Sequence, residues 1–207
     1  MRLRRGAAAA LAAALLAPAA APASEPAGPA PRAQRIQVGE GRALEAASER
    51  WFTNVEVVDQ HGRPHRFWRD LVRGHVVLVN FAYTSCTTAC SPVTANLVKV
   101  RKLLGARMGK DVRMITITVD PANDSPAKLA AFAAKLGADA PGWYFVTGSP
   151  ENVRALLAKL GGAVAKPSEH SMALLVGDAA TGNWLRTISM NRPENIAWLV
   201  EHIDDPT

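Results

Sequence analysis

His75-Val76-Val77-Leu78-Val79-Asn80-Phe81-Ala82-Tyr83 runs directly into Thr84-Ser85-Cys86-Thr87-Thr88-Ala89-Cys90-Ser91-Pro92. The first half is a nearly continuous apolar run, as expected of a central strand covered on both faces. Beyond the second half, Val93, Leu97, Val100 and Leu104 recur at helical spacing, which predicts a helix to about Met108 with Pro92 in its first turn. The chain's two cysteines therefore stand between the end of a buried strand and the start of a helix. Open α/β sheets bind their ligands at the carboxyl ends of strands. A thiol near a helix N-terminus also faces the positive end of the dipole, which favours thiolate, the form that attacks and the form that binds metal.

Outward from this junction the pattern alternates between strand and helix. Val112 to Val119 reads as a second buried strand. Pro126 to Leu136 reads as a helix capped by Asp124 or Ser125, with Asp124 favoured. Trp143 to Val146 is a short strand, and Ser149-Pro150-Glu151 opens a helix closed by the glycines at Leu160-Gly161-Gly162. Strands from Ser171 to Val176 and from Trp184 to Ser189 flank a hairpin loop at 177–182, and a last helix runs from Arg192-Pro193-Glu194 to about Ile203. Upstream, a helix near 42–50 precedes a hairpin of Phe52–Val58 and Arg63–Phe67 around the turn at Asp59-Gln60-His61-Gly62. A β-α-β centre followed by a hairpin and a closing helix implies an α/β protein of thioredoxin-like fold, a central mixed sheet flanked by helices with an N-terminal β-hairpin.

The 207 residues suffice for one such domain with a tail. Arg2, Arg4 and Arg5 precede an apolar stretch from Gly6 to Leu16 and an Ala21-Pro22-Ala23 cleavage signature, so 1–23 is expected to be an export signal or an N-terminal anchor. A Pro/Ala-rich linker is expected over 24–41 and the domain over 42–207. The Ala-, Arg- and Pro-rich composition suggests a bacterial source and hence the periplasm. The formal charge of +6 becomes +3 without the three leading arginines, and no basic run is interleaved with aromatics, which excludes a nucleic-acid binder. In an oxidising compartment the cysteines will tend to pair. A bridge between positions four apart constrains the unfolded chain little, so reactivity is a better reason for the pair than stability.

Spacing and partners narrow the chemistry. Cys86 and Cys90 are one residue further apart than in the Cys-x-x-Cys of thiol oxidoreductases, so both sulfurs can converge on a metal and still form a disulfide. Two thiolates suit Cu(I), though zinc also accepts them. Of His61, His65, His75, His170 and His202, only His170 ends a loop expected to face the cysteines, and an imidazole there completes a soft ligand set. Asp120 is a candidate to tune the thiolates or orient His170, or else a turn residue; Glu169 is read as a solvated carboxylate, Met172 as core, and neither Met172 nor Met190 as a ligand.

From Phe52 to Ile203 the sequence resembles the Sco/SenC family of thioredoxin-like copper chaperones. The resemblance is carried by Val79-Asn80-Phe81-Ala82-Tyr83-Thr84-Ser85-Cys86-Thr87-Thr88-Ala89-Cys90-Ser91-Pro92, by Ile117-Thr118-Val119-Asp120-Pro121 with Asp124, and by His170. Thr87 stands where the family usually has proline. The resemblance implies a copper ion held by Cys86, Cys90 and His170. It implies service to the cytochrome c oxidase subunit carrying the CuA site, as copper donor or as thiol reductant, near the membrane and alongside other periplasmic copper chaperones or thiol reductants. The competing reading is a periplasmic thiol–disulfide oxidoreductase in which Cys86 attacks and Cys90 resolves. A peroxidase reading rests on Thr87 and Cys90 matching T-x-x-C, but Tyr83 occupies the place of the expected proline. A binding module built on the 177–183 loop has no residue pattern in its favour.

Overall fold

The computed structural model describes residues 34–37, 41–87 and 89–204. The two apolar runs that open the reading, β4 (Val76–Ala82) and β5 (Val112–Thr118), lie side by side in parallel at the centre of the sheet. Every residue of β4 is buried, as a strand covered on both faces requires. Each of its large apolar side chains contributes roughly 1.5–3 kcal/mol by leaving water. Its one polar member, Asn80, accepts at Oδ1 from the Thr116 hydroxyl at 2.8 Å, while its buried Nδ2 finds no hydrogen-bond partner among the described residues.

β6 (Trp143–Thr147) extends the parallel set, while β7 (Ala173–Asp178) and β8 (Asn183–Ile188) form an antiparallel hairpin on the other side of β4. A second hairpin, β2 (Glu56–Asp59) and β3 (Pro64–Arg66), pairs with β6. With β1 (Gln34–Gln37) on β8, the sheet of the described residues reads β1-β8-β7-β4-β5-β6-β2-β3. Helices α2 (Cys90–Leu104), α3 (Pro126–Lys135) and α5 (Pro193–Glu201) cover one face. Helices α1 (Gly41–Phe52) and α4 (Pro150–Leu160) cover the other. This is the expected thioredoxin-like arrangement, N-terminal hairpin included.

Several expectations need correcting. Phe52 closes α1 and is fully buried; Thr53, at φ 60°, then turns the chain so that β2 starts only at Glu56. A helical face can bury an aromatic as well as a strand can, and the short apolar stretch did not distinguish them. Phe67 opens a π-helical segment (Phe67–Val72), whose Phe67, Trp68, Leu71 and Val72 all enter the core. Gln34–Gln37, within the stretch read as linker, pairs with Asn183–Arg186; four residues with one aliphatic carry too little alternation to register as a strand. The α3 cap is Ser125, whose hydroxyl accepts from Lys128 N–H, and not Asp124. Met172 lies before β7 and is 47% exposed, so it is surface and not core. Of the stretch read as signal and linker, 1–33 and 38–40 lie outside the described residues, and Gly41 already belongs to α1.

Candidate metal centre

The cysteine loop is fixed at both ends by residues that sequence reasoning did not assign to it. Asp124 is 1% exposed and its carboxylate accepts from the Thr84 backbone N–H and hydroxyl and from the Thr118 hydroxyl. It therefore clamps the start of the cysteine loop to the carboxyl end of β5. The predicted capping role was wrong because a carboxylate that can collect several buried donors gains more there than from one helix N–H. Beyond the loop, α2 begins at Cys90 itself. No side chain of Ala89 caps it, and the Cys90 N–H donates instead to Cys86 Sγ at 3.3 Å. An orphan donor of the helix start is thus aimed at the first sulfur.

His170 arrives from the other side. α4 ends at Gly161, whose left-handed φ of 69° suits glycine. At Gly162 a Cβ would overlap the Phe81 ring, so glycine lets this loop lie close over β4. A short 3-10 turn at Pro167–Glu169 then presents His170. Its Nδ1 lies 3.1 Å from the Pro167 carbonyl, which can only accept, so Nδ1 carries the proton. Nε2 is left with a lone pair, 3.4 Å from Cys90 Sγ. Burial lowers the imidazole's pKa and outweighs the opposing hydrogen bond to the Pro167 carbonyl, so the net effect favours the neutral ring. Tyr83 meets the ring edge-on at 5.4 Å between centroids.

The two sulfurs differ. Cys90 is 1% exposed and its thiol is pushed up to about 12, first by burial and then by the neighbouring Cys86 sulfur. The expected dipole effect does not prevail at Cys90, because desolvation of a buried charge outweighs a partial charge at a helix end. Its proton points to the lone pair of a neutral histidine. Cys86, 8% exposed, also lines a surface groove, and neither cysteine is in a disulfide. Tyr83 is hydrogen-bonded to Cys86, and its hydroxyl is raised by burial and then by that sulfur's charge. The sulfur atoms and one imidazole nitrogen lie within 4.8 Å of one another, the one such cluster among the described residues. Metal–ligand bonds of about 2.0–2.3 Å set ligand atoms about 4 Å apart around an ion, so small side-chain shifts would close the site. The same dithiol can close as a disulfide, with loss of two electrons and two protons.

The other candidates are occupied elsewhere. The Asp120 carboxylate accepts from Asn123 Nδ2, the turn-residue reading, and makes no recorded hydrogen bond to His170. His61 faces Asp139, His65 faces Asp59, His75 faces the Arg73 carbonyl and His202 faces the Trp198 carbonyl. Glu169 and Met190 are exposed. Tyr83 and Asp124 were the functional neighbours missed. The signal for Asp124 was present, a carboxylate after a buried strand and beside a serine better able to cap.

A thioredoxin-like sheet with two thiols and an imidazole converging at the end of its central strand defines a class: a thiol protein built for soft-metal binding or disulfide exchange. Comparison with known proteins makes the class specific. A sequence model of the SCO1/SenC family matches residues 45–197, and the chain belongs to that family. It is 37% identical over 99 residues to the SCO1 protein homolog of Bacillus subtilis, covering 47% of this chain and 51% of that protein. It thus spans about half the length of the curated relative it matches. The crystal structure of a SCO1/SenC family lipoprotein from Bacillus anthracis superposes with a TM-score of 0.63 at 28% identity, over 73% of this chain and 93% of that one. BsSco, described as a member of the Sco family of cytochrome c oxidase assembly proteins with a disulfide switch, superposes at 0.62 and 28% identity over 73% and 92% of the two chains. No helix among the described residues is long and apolar enough to cross a membrane.

Proposed function

We propose that this protein is a copper chaperone that binds copper through Cys86, Cys90 and His170 and serves the CuA site during cytochrome c oxidase assembly. The observation that carries the reading is the His170 Nε2 lone pair, aimed at Cys90 Sγ from 3.4 Å within a cluster spanning at most 4.8 Å. Two sulfurs and a neutral imidazole form a soft set that suits Cu(I), and few ligands near the surface allow stepwise exchange with a partner's ligands. Binding displaces the Cys90 proton, so the metal takes the place now held by the S–H···N contact. The relatives' link to oxidase assembly supports the choice of partner. Export to the periplasm by residues 1–23, as cleaved signal or anchor, belongs to the same reading; mass determination of the mature N-terminus tests it. The copper assignment is tested by anaerobic Cu(I) competition titration of the reduced protein. One ion per chain, lost in His170→Ala, is expected; no stoichiometric binding, or binding indifferent to His170→Ala, contradicts it.

A second reading is favoured by the unequal burial of the cysteines. With Cys86 at a groove and Cys90 beneath it, Cys86 can attack a partner disulfide and Cys90 can resolve the mixed disulfide. The partner's disulfide then leaves as two thiols while Cys86 and Cys90 become a disulfide, so electrons and protons balance. A mixed disulfide trapped with Cys90→Ser supports this activity, and its absence removes it.

A further inference from the structure

The groove that exposes Cys86 has a volume of 300 Å³ and lies between the first turn of α2, at Ser91, and the length of α3, at Lys128, Phe132, Lys135 and Leu136. Phe132 forms its apolar floor and packs against the two-cysteine cluster, so the groove leads to the sulfurs. Lys128 and Lys135 are seven residues apart on α3, two turns along the same side, and both are exposed. Their helices share an unusual composition: α2 carries Lys99, Arg101 and Lys102, α3 carries Lys128 and Lys135, and neither contains Asp or Glu. The other described helices differ, for α1, α4 and α5 all contain glutamate. The carboxylates just before α3 keep their charge but do not line the groove: Asp120 accepts from Asn123 and Asp124 is buried among threonine donors.

Helix stability explains part of this pattern, since Arg101, Lys102 and Lys135 stand in last turns, where a cation is favourable. It does not explain Lys128, which lines the groove from the first turn of α3, where the dipole disfavours a cation. Its Nζ donates one hydrogen bond to the Asn123 carbonyl at 2.8 Å and keeps its remaining donors for solvent or a ligand. Solubility would be served equally by mixed charge. A one-signed rim over an apolar floor, leading to a reactive thiol, instead raises the local concentration of an oppositely charged partner.

We propose that this groove receives an acidic segment of the partner protein, with the partner's own soft donor or thiol presented next to Cys86. The inference rests on Cys86 being the exchanging sulfur of the proposed function and adds the charge of what approaches it. Its floor and its position beside a thiol fit a polypeptide better than a lipid surface.

The test uses the full chain carrying Cys90→Ser, with Cys86 held as its mixed disulfide to 2-thiopyridine. A peptide thiolate attacks Cys86 Sγ, the peptide–Cys86 disulfide forms, and pyridine-2-thione leaves and is read by absorbance. Cysteine peptides flanked by glutamate, glutamine or lysine are compared. The glutamate peptide is expected to react about tenfold faster than the lysine peptide at low salt, with the gap closing at high salt. Lys128→Glu with Lys135→Glu should reverse that order, while Lys159→Glu, on α4 across the sheet, should leave it in place. Equal rates for the three peptides, or an equal response to Lys159→Glu, overturn the proposal. So does charge-dependent sedimentation with anionic phospholipid vesicles without any peptide preference, which would assign the rim to a membrane. Copper titration of Lys128→Glu/Lys135→Glu with intact cysteines separates the two levels. Stoichiometric copper without peptide selectivity removes the groove's role alone, whereas failure of the unsubstituted chain to bind copper removes the metal reading.

Discussion

Two places in this molecule gather a histidine around a buried polar atom, and they treat it in opposite ways. In the N-terminal hairpin, Asp59 is fully buried. Its carboxylate accepts from the N–H groups of His61 and Arg63, from Arg63 Nε and from His65 Nε2, at 2.8–3.0 Å. Burial raises its pKa, yet the hydrogen bonds from His65 and Arg63 outweigh burial and hold it below the usual carboxylate value. At the end of β4 the buried polar atoms are Cys90 Sγ and His170 Nε2, and one thiol proton lies between them. The first cluster has a donor for each place on its acceptor and is finished as a structural joint. The second holds only one thiol proton between a sulfur and an imidazole lone pair, a weak joint for a fold and one that a soft cation can replace.

If that distinction is right, substitutions at the two places should dissociate stability from metal binding. The largest effect is expected for His170→Ala. Loss of a direct ligand should lower copper affinity by more than about 100-fold, beyond what outer-shell changes cost. Its melting temperature should change little, because the ring is only partly buried and bonds the fold through a single Pro167 carbonyl. Competition titration and calorimetry on the same sample check both halves.

Asp59→Ala should do the reverse. It strands the hairpin donors and should cost about 2–3 kcal/mol in denaturant unfolding while leaving copper affinity unchanged. The pH dependence carries the same signature. The folded-state pKa of Asp59 is depressed, so its contribution is complete above the ordinary 3.8 and is lost as pH falls through the lowered value. Unfolding curves at descending pH should show stability falling below about pH 4, with a shallower fall in Asp59→Asn.

Asp124 blurs the comparison, since it is built like Asp59 but placed beside the cysteines. Asp124→Asn should cost about 1.5 kcal/mol by weakening charge-assisted bonds to Thr84 and Thr118, and should also lower copper affinity about tenfold by loosening the cysteine loop. An effect on stability alone would place Asp124 with the structural joint. The smallest change is expected for Ser125→Ala, which removes the true α3 cap at about 1 kcal/mol in thermal unfolding and leaves the metal centre alone.

The parts of this structure legible in the sequence are those fixed by local pattern. The all-apolar run of β4, the helical spacing after Cys90 and the serine–proline start of α4 each determine their element without tertiary help. The convergence of Cys86, Cys90 and His170 was also legible, because cysteines at a strand–helix junction and a histidine before an apolar strand are positioned by the topology itself. What escaped depends on contacts between distant residues. Phe52 belongs to a helix because α1 turns it into the core; β1 exists because β8 offers it an edge. Asp124 left its expected cap for Thr84, forty positions away, and the Cys90 thiol is protonated because burial, invisible in sequence, outweighs the helix dipole.

The central claim is that Cys86, Cys90 and His170 form one copper site. The most direct measurement is the absorption spectrum of the Cu(II)-loaded protein beside Cys86→Ser, Cys90→Ser and His170→Ala. The account predicts intense sulfur-to-copper charge-transfer bands in the parent, abolished or strongly altered by each of the three substitutions. A parent spectrum without such bands, or bands that survive any one substitution unchanged, would contradict it.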